Sequence, residues 1–266
     1  MKSSLRLRRA NPRNLFFRGA IKLLQAEELP FLVGGAYALH YYTGVSRDTK
    51  DLDLFVHPDD FQYVLDALSS AGYQTEITFS HWLGKAFRGK WTIDIIFNSG
   101  NGLTEVDDSW FELAPTSEVL GLPVLLTPLE ETIWSKAFIL ERDRCDSADV
   151  AHCILTCVER LDWPRLLRRF GEHWRVLLSH LILFGYIYPS DRDRIPAAVL
   201  QELLERLAAE RESPSLQEKV CQGTLLSHSQ YRVDVEQWGY QDARLAPHGR
   251  MTMQEVARWM GAFDRK

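Results

Sequence analysis

Asp51-Leu52-Asp53 places two carboxylates two positions apart in a stretch, Asp51 to Val56, that alternates acidic and apolar residues. In an extended strand, residues i and i+2 project from the same face, so both acids point one way while Leu52 and Leu54 point to a core. Two carboxylates that close repel each other unless a cation lies between them. Oxygen donors of this kind suit Mg²⁺ or Mn²⁺. Asp94 supplies a third acid inside an otherwise apolar run, Trp91 to Ile96, where a carboxylate is costly without a partner. Gly34-Gly35 follows the short apolar segment Phe31–Val33, and a helix-compatible run starts at Ala36. Glycines between a strand and a helix let backbone N–H groups approach a phosphate. Arg47, Thr49 and Lys50 stand just before the acidic strand, within reach of a triphosphate held there.

These residues need a sheet to hold them. The first part of the chain alternates strand-like and helix-like segments: a helix near 18–28, a strand at 31–33, a short helix at 36–42 and the acidic strand at 51–56. Pro58 opens a helix to about Ser70, and Gly72 ends it. Strands follow at 74–79, 85–88 and 91–97, with Gly89-Lys90 turning the last two into a hairpin. Leu120 to Leu126 reads as a further strand. Thr127, Pro128 and Glu130 then read as a capped helix start. Helices are expected near 128–142, 146–160, 163–171, 174–186 and 196–211, and a last one from about Thr252 to Phe263. The fold class expected is α+β: residues 1–126 form a mixed-sheet core with flanking helices, 127–212 a helical domain, and 213–266 a C-terminal extension. Within it, the stretch Gln230 to Arg250 is aromatic and charged without periodicity. It reads equally as an arm across the active-site cleft, a packing extension or a dimer contact.

Composition narrows the functions. The chain has 266 residues, 45% hydrophobic and 25% charged, with net charge -5. It can bury a sizeable core, and it lacks the basic excess of a protein that coats DNA. Cys145, Cys153, Cys157 and Cys221 form no CxxC pair, and Cys153 and Cys157 read as buried helix residues rather than a metal clip. No apolar stretch of ~7–15 residues follows the basic start, and none of ~20 spans a membrane. A soluble, cytoplasmic protein with no membrane partner is expected.

The run FLVGGAYALHYYTGVSRDTKDLDLFV, with Asp94 on a later strand, resembles the signature of the DNA-polymerase-β-like nucleotidyltransferase superfamily, especially its small bacterial stand-alone and toxin–antitoxin members. Gly34 and Gly35 match the family's glycine pair, Asp51 and Asp53 its paired acids, and Asp94 its third; the match spans residues 31–97. The resemblance implies transfer of a nucleoside monophosphate from an NTP, ATP among them, to a hydroxyl acceptor, with release of pyrophosphate. It implies Asp51, Asp53 and Asp94 as catalytic and metal-holding residues, with Asp94 also a candidate base. Gly34, Gly35, Arg47, Thr49 and Lys136 would hold the triphosphate. Lys136, Arg142, Asp146 and Asp149 match a lysine and an Arg-x-Lys-Asp-x-x-Asp run of the toxin-like members, with Cys145 in place of the lysine. Ala36 follows the glycine pair, and no serine stands at its second position. The acceptor class stays open between RNA, protein and small molecule, and a homodimer or cognate protein partner is an open alternative. The competing reading is a non-catalytic nucleotide-binding or toxin–antitoxin partner protein on the same fold.

Overall fold

The computed structural model describes residues 11–212 and 218–262. The basic N-terminus, residues 213–217 of the expected extension and the expected end of the last helix at Phe263 lie outside them.

Helix α1 (Pro12–Ala26) starts at Asn11, whose side chain accepts from the Arg13 N–H at 3.0 Å. It is followed by β1 (Leu32–Val33), α2 (Gly35–Thr43), β2 (Asp51–Phe55), α3 (Phe61–Ser70), β3 (Gln74–Phe79), β4 (Leu83–Arg88) and β5 (Trp91–Ile96). The strands form one mixed sheet in the order β1-β2-β5-β4-β3. Strands β2 and β5 run parallel, and the other neighbours are antiparallel. Gly89 turns β4 into β5 at φ +65°, as the sequence leads one to expect. On one face of the sheet Leu52, Leu54, Ile93 and Ile95 are fully buried, in a core shared with Phe17 and Ile21 of α1 and Val64 and Leu68 of α3. The opposite face of β2 and β5 carries the acids.

Next come α4 (Asp108–Glu112) and a hairpin of β6 (Thr116–Val119) and β7 (Leu122–Leu125), where one strand was expected. The helical half contains α5 (Leu129–Ala137), α6 (Ser147–Cys157), α7 (Trp163–Phe170), α8 (Trp174–Ile187) and α9 (Ala197–Glu212). Its core takes in Leu39 and Tyr42 of α2 and the fully buried Trp110 of α4. The C-terminal segment holds β8 (Val220–Cys221), α10 (Arg232–Glu236), β9 (Gln241–Asp242) and α11 (Met253–Gly261). Thr252 and Glu255 form a reciprocal capping box at the start of α11. Among the described residues no helix is long and apolar enough to cross a membrane.

Two local expectations are corrected. The expected capping box at Thr127 does not form: Pro128 is the cap, and the Glu130 carboxylate accepts instead from the Asp162 N–H at 2.8 Å, ahead of α7. Helix α5 also stops at Ala137, well before residue 142. Residues 139–146 double back, with Glu141 N–H on Arg144 O at 2.8 Å and Asp146 N–H on Ile139 O at 3.0 Å.

The helical half is pinned to α4 by buried charge. Glu131 of α5, 0% exposed, accepts from Arg165 Nη2 at 2.7 Å and Arg169 Nε at 2.5 Å. Arg169 reaches on to Asp107 at 2.6 Å. Burial works to raise the Asp107 carboxyl, but hydrogen bonds and charge from Arg169, with help from Ser109, hold it down at about 2. Its stabilising contribution is therefore present above the ordinary carboxylate range and is lost as pH falls through about 2. Removing Glu131 leaves the Arg165 guanidinium, itself buried, without its carboxylate. Glu131→Ala is expected to cost roughly 3–5 kcal/mol in urea unfolding; a loss below about 1 kcal/mol, the scale of an exposed pair, would contradict this account.

Candidate active site

The parallel register of β2 and β5 sets Asp53 directly beside Asp94, and the antiparallel register of β4 sets Lys85 on the other side of Asp94. Paired residues share a face, so Lys85, Asp94 and Asp53 form one row across three strands. Lys85 Nζ lies 2.8 Å from Asp94 Oδ1. Asp51 projects from the same face, two residues before Asp53, and its Oδ1 accepts from the Thr49 hydroxyl at 2.7 Å.

The glycine pair fits against this row. A Cβ on Gly35 would stand 1.7 Å from Asp53 Oδ2, at a backbone φ of +54° that L side chains rarely adopt; one on Gly34 would stand 2.3 Å from Phe55 Cε2. The glycines thus serve the approach of α2 to the side chains of β2. The first turn of α2, with its free N–H groups, begins over the Asp53 carboxylate.

Burial, then the charges of Asp94 and Asp51, raise Asp53 from the usual carboxylate range to about 7, against the pull of Lys136 and Arg144. Burial also raises Asp94, opposed by Lys85. Among the described residues no three His, Cys, Asp or Glu side chains stand in metal-holding geometry; Thr49 engages Asp51 and Lys85 engages Asp94. The donor chemistry nonetheless fits a hard divalent cation: clustered carboxylate oxygens, one of them driven toward protonation by its own neighbours.

A cavity of ≈ 430 Å³ opens on the row, with Gly35, Asp53 and Asp94 on its floor. Lys136 and Arg144 form part of the facing wall. Lys136 Nζ lies 2.8 Å from both Asp146 and Asp149, Arg144 Nη2 3.0 Å from Asp146, and Arg47 Nη2 2.5 Å from Asp149. Three cations meet two carboxylates here, and Glu141 and Asp143 also line the cavity. Arg47 and Thr49 thus act at one remove, Arg47 on Asp149 and Thr49 on Asp51; neither lines the cavity, and nor do Gly34 and Asp51. Arg142 is exposed, and its neighbour Arg144 occupies the wall. No sequence signal separates the two arginines, because the choice depends on the turn at 139–146.

The far wall comes from the C-terminal segment. Leu225, Leu226, His228 and Trp259 line the cavity beside Trp82, Asn98 and Glu141. Asn101 Nδ2 donates to Leu225 O at 2.7 Å, and Glu141 accepts from the Ser227 hydroxyl and, at 2.8 Å, from the His228 N–H. Trp259 packs so tightly on Gly100 that a Cβ there would stand 2.4 Å from its ring. These lining residues flank the stretch 230–250 and do not belong to it.

No family model matches the sequence, and neither does any curated protein. Among solved structures, the antibiotic-resistance factor ANT(2'')-Ia has TM-score 0.44 and 16% identity, over 64% of this chain and 96% of its own. The lincosamide antibiotic adenylyltransferase LnuA has TM-score 0.39 and 15% identity, over 54% and 96%. JHP933 from Helicobacter pylori has TM-score 0.40 and 14% identity, over 76% and 94%.

Carboxyl-selective NMR on the metal-free protein is expected to show Asp53 titrating near 7, with a lower midpoint in Asp94→Asn. A folded value above the unfolded one means that ionising Asp53 opposes folding as pH rises from about 4 toward neutrality. An Asp53 midpoint near ~4 would contradict the repulsive row.

Proposed function

We propose that this chain is a nucleotidyltransferase: it transfers a nucleoside monophosphate from an NTP to a hydroxyl acceptor and releases pyrophosphate. The observation that carries the reading is the single cavity that sets the carboxylate row, the first turn of α2 and a cationic wall against one another. Nucleotidyl transfer needs little covalent help from protein; it needs reactants positioned and developing charge neutralised.

Each part has a role in that reaction. Asp51 and Asp53 present oxygen donors for a divalent cation, with Asp94 beside them as the base for the acceptor hydroxyl, and burial together with mutual repulsion provides the drive to take the cation up. Mg²⁺ or Mn²⁺ bound there would polarise phosphate oxygens and stabilise the attacking and leaving oxygens of an in-line displacement. Lys136 and Arg144 hold the triphosphate from the facing wall, and their pairing with Asp146 and Asp149 keeps both cations aimed while the site is empty of nucleotide. Arg47 steadies Asp149, and Thr49 orients Asp51. Gly35 lets the α2 N–H groups reach the same phosphates. The acceptor oxygen bonds to the α-phosphorus, the bond from that phosphorus to the α–β bridging oxygen breaks to release pyrophosphate, and the hydroxyl proton passes to the Asp94 carboxylate. The C-terminal wall of Leu225, His228 and Trp259 sits where the acceptor enters and shapes its selection.

Asp53→Asn is expected to abolish transfer of label from α-labelled NTP while unfolding at a similar or higher temperature, since a repelled charge is removed. Transfer at the wild-type rate by that variant would refute the assignment. Loss of its fold would point to a structural role for Asp53 instead.

A further inference from the structure

The third carboxylate of the row already has a cation. Lys85 is the cross-strand partner of Asp94, and its Nζ lies 2.8 Å from Asp94 Oδ1. Both side chains are largely covered, at 26% and 15% exposed. The register fixes this contact, because Lys85, Asp94 and Asp53 are neighbours on one face of β4, β5 and β2. The other cations of the site are directed elsewhere: Lys136 and Arg144 meet Asp146 and Asp149. Asp51 and Asp53 pair with no strand cation of this kind; β5 sets Thr92 beside Asp51 and Asp94 beside Asp53.

Resting on the nucleotidyl-transfer reading, we infer that Lys85 is the resident cation of Asp94, so that the site takes one divalent ion, on Asp51 and Asp53, and not two. A second divalent ion bound through Asp94 would have to displace the ammonium or sit against it, and like charges at contact in a partly buried site repel strongly. A lysine in this place supplies one fixed positive charge at the Asp94 end of the row without needing an ion from solution. Lys85 is therefore a positioning residue: it acts on Asp94, and through Asp94 on the number of ions the row accepts.

The test is a count. The full chain is dialysed to equilibrium against Mn²⁺ and a non-hydrolysable ATP analogue, and retained Mn²⁺ per chain is measured, corrected for the analogue dialysed alone. One ion is expected for the wild type and for Lys85→Arg, which keeps the charge. Two are expected for Lys85→Met, which keeps the stem and removes the charge. Two ions in the wild type would overturn the inference, as would one ion in a folded Lys85→Met. Should Lys85→Met fail to fold, the wild-type count and Lys85→Arg decide alone. Retention of no Mn²⁺ by any variant would instead strike the nucleotidyl-transfer reading, and this inference with it.

Discussion

The site depends on one constraint, the parallel pairing of β2 with β5. That register sets two carboxylates, Asp53 and Asp94, side by side on one face of a sheet whose other face is a sealed apolar core. A shift by one residue would turn Leu52 and Leu54 outward and the acids into the core, so the fold and the acidic row are secured by the same packing. The row is electrostatically unfavourable in isolation. Lys85 and Thr49 engage its ends, and burial, then the charges of Asp94 and Asp51, raise the middle carboxylate, Asp53, to about 7. A group held in that condition is poised to bind a cation.

Around this centre the structure brings in charge from far along the chain. Glu131, buried between Arg165 and Arg169, locks α5 to α7 and, through Asp107, to the segment that follows the sheet. Helix α5 is thereby aligned so that Lys136 faces the acids. The backbone reversal at 139–146 then delivers Arg144 and Asp146 to the same wall. The C-terminal segment closes the cavity by hydrogen bonds to Asn101 and Glu141 and by packing Trp259 on Gly100. The floor is thus local in sequence, whereas the walls are long-range.

That division explains what was legible beforehand. The alternation at Asp51–Val56 and the acid inside Trp91–Ile96 report strand faces directly, because a period of two leaves few alternatives. Gly89 marked its hairpin, because a turn acts over a few residues. The glycine pair was visible, but its partners were not: Asp53 and Phe55 approach it only once β1 and β2 pair. Arg144 lines the cavity where the sequence pointed to Arg142, and the Thr127 cap was misread. In both places a tertiary contact, Leu226 on Leu140 and Asp162 on Glu130, decides the local backbone. Nothing periodic marks His228 or Glu141, which meet only in the folded chain.

The most direct test of the central claim is a crystal structure of the chain with Mn²⁺ and a non-hydrolysable ATP analogue, using the anomalous signal of the metal. The account requires a Mn²⁺ peak between the Asp51 and Asp53 carboxylates, with the triphosphate lying between the start of α2 and the Lys136–Arg144 wall. A nucleotide bound elsewhere, or Mn²⁺ away from Asp51 and Asp53, would contradict it.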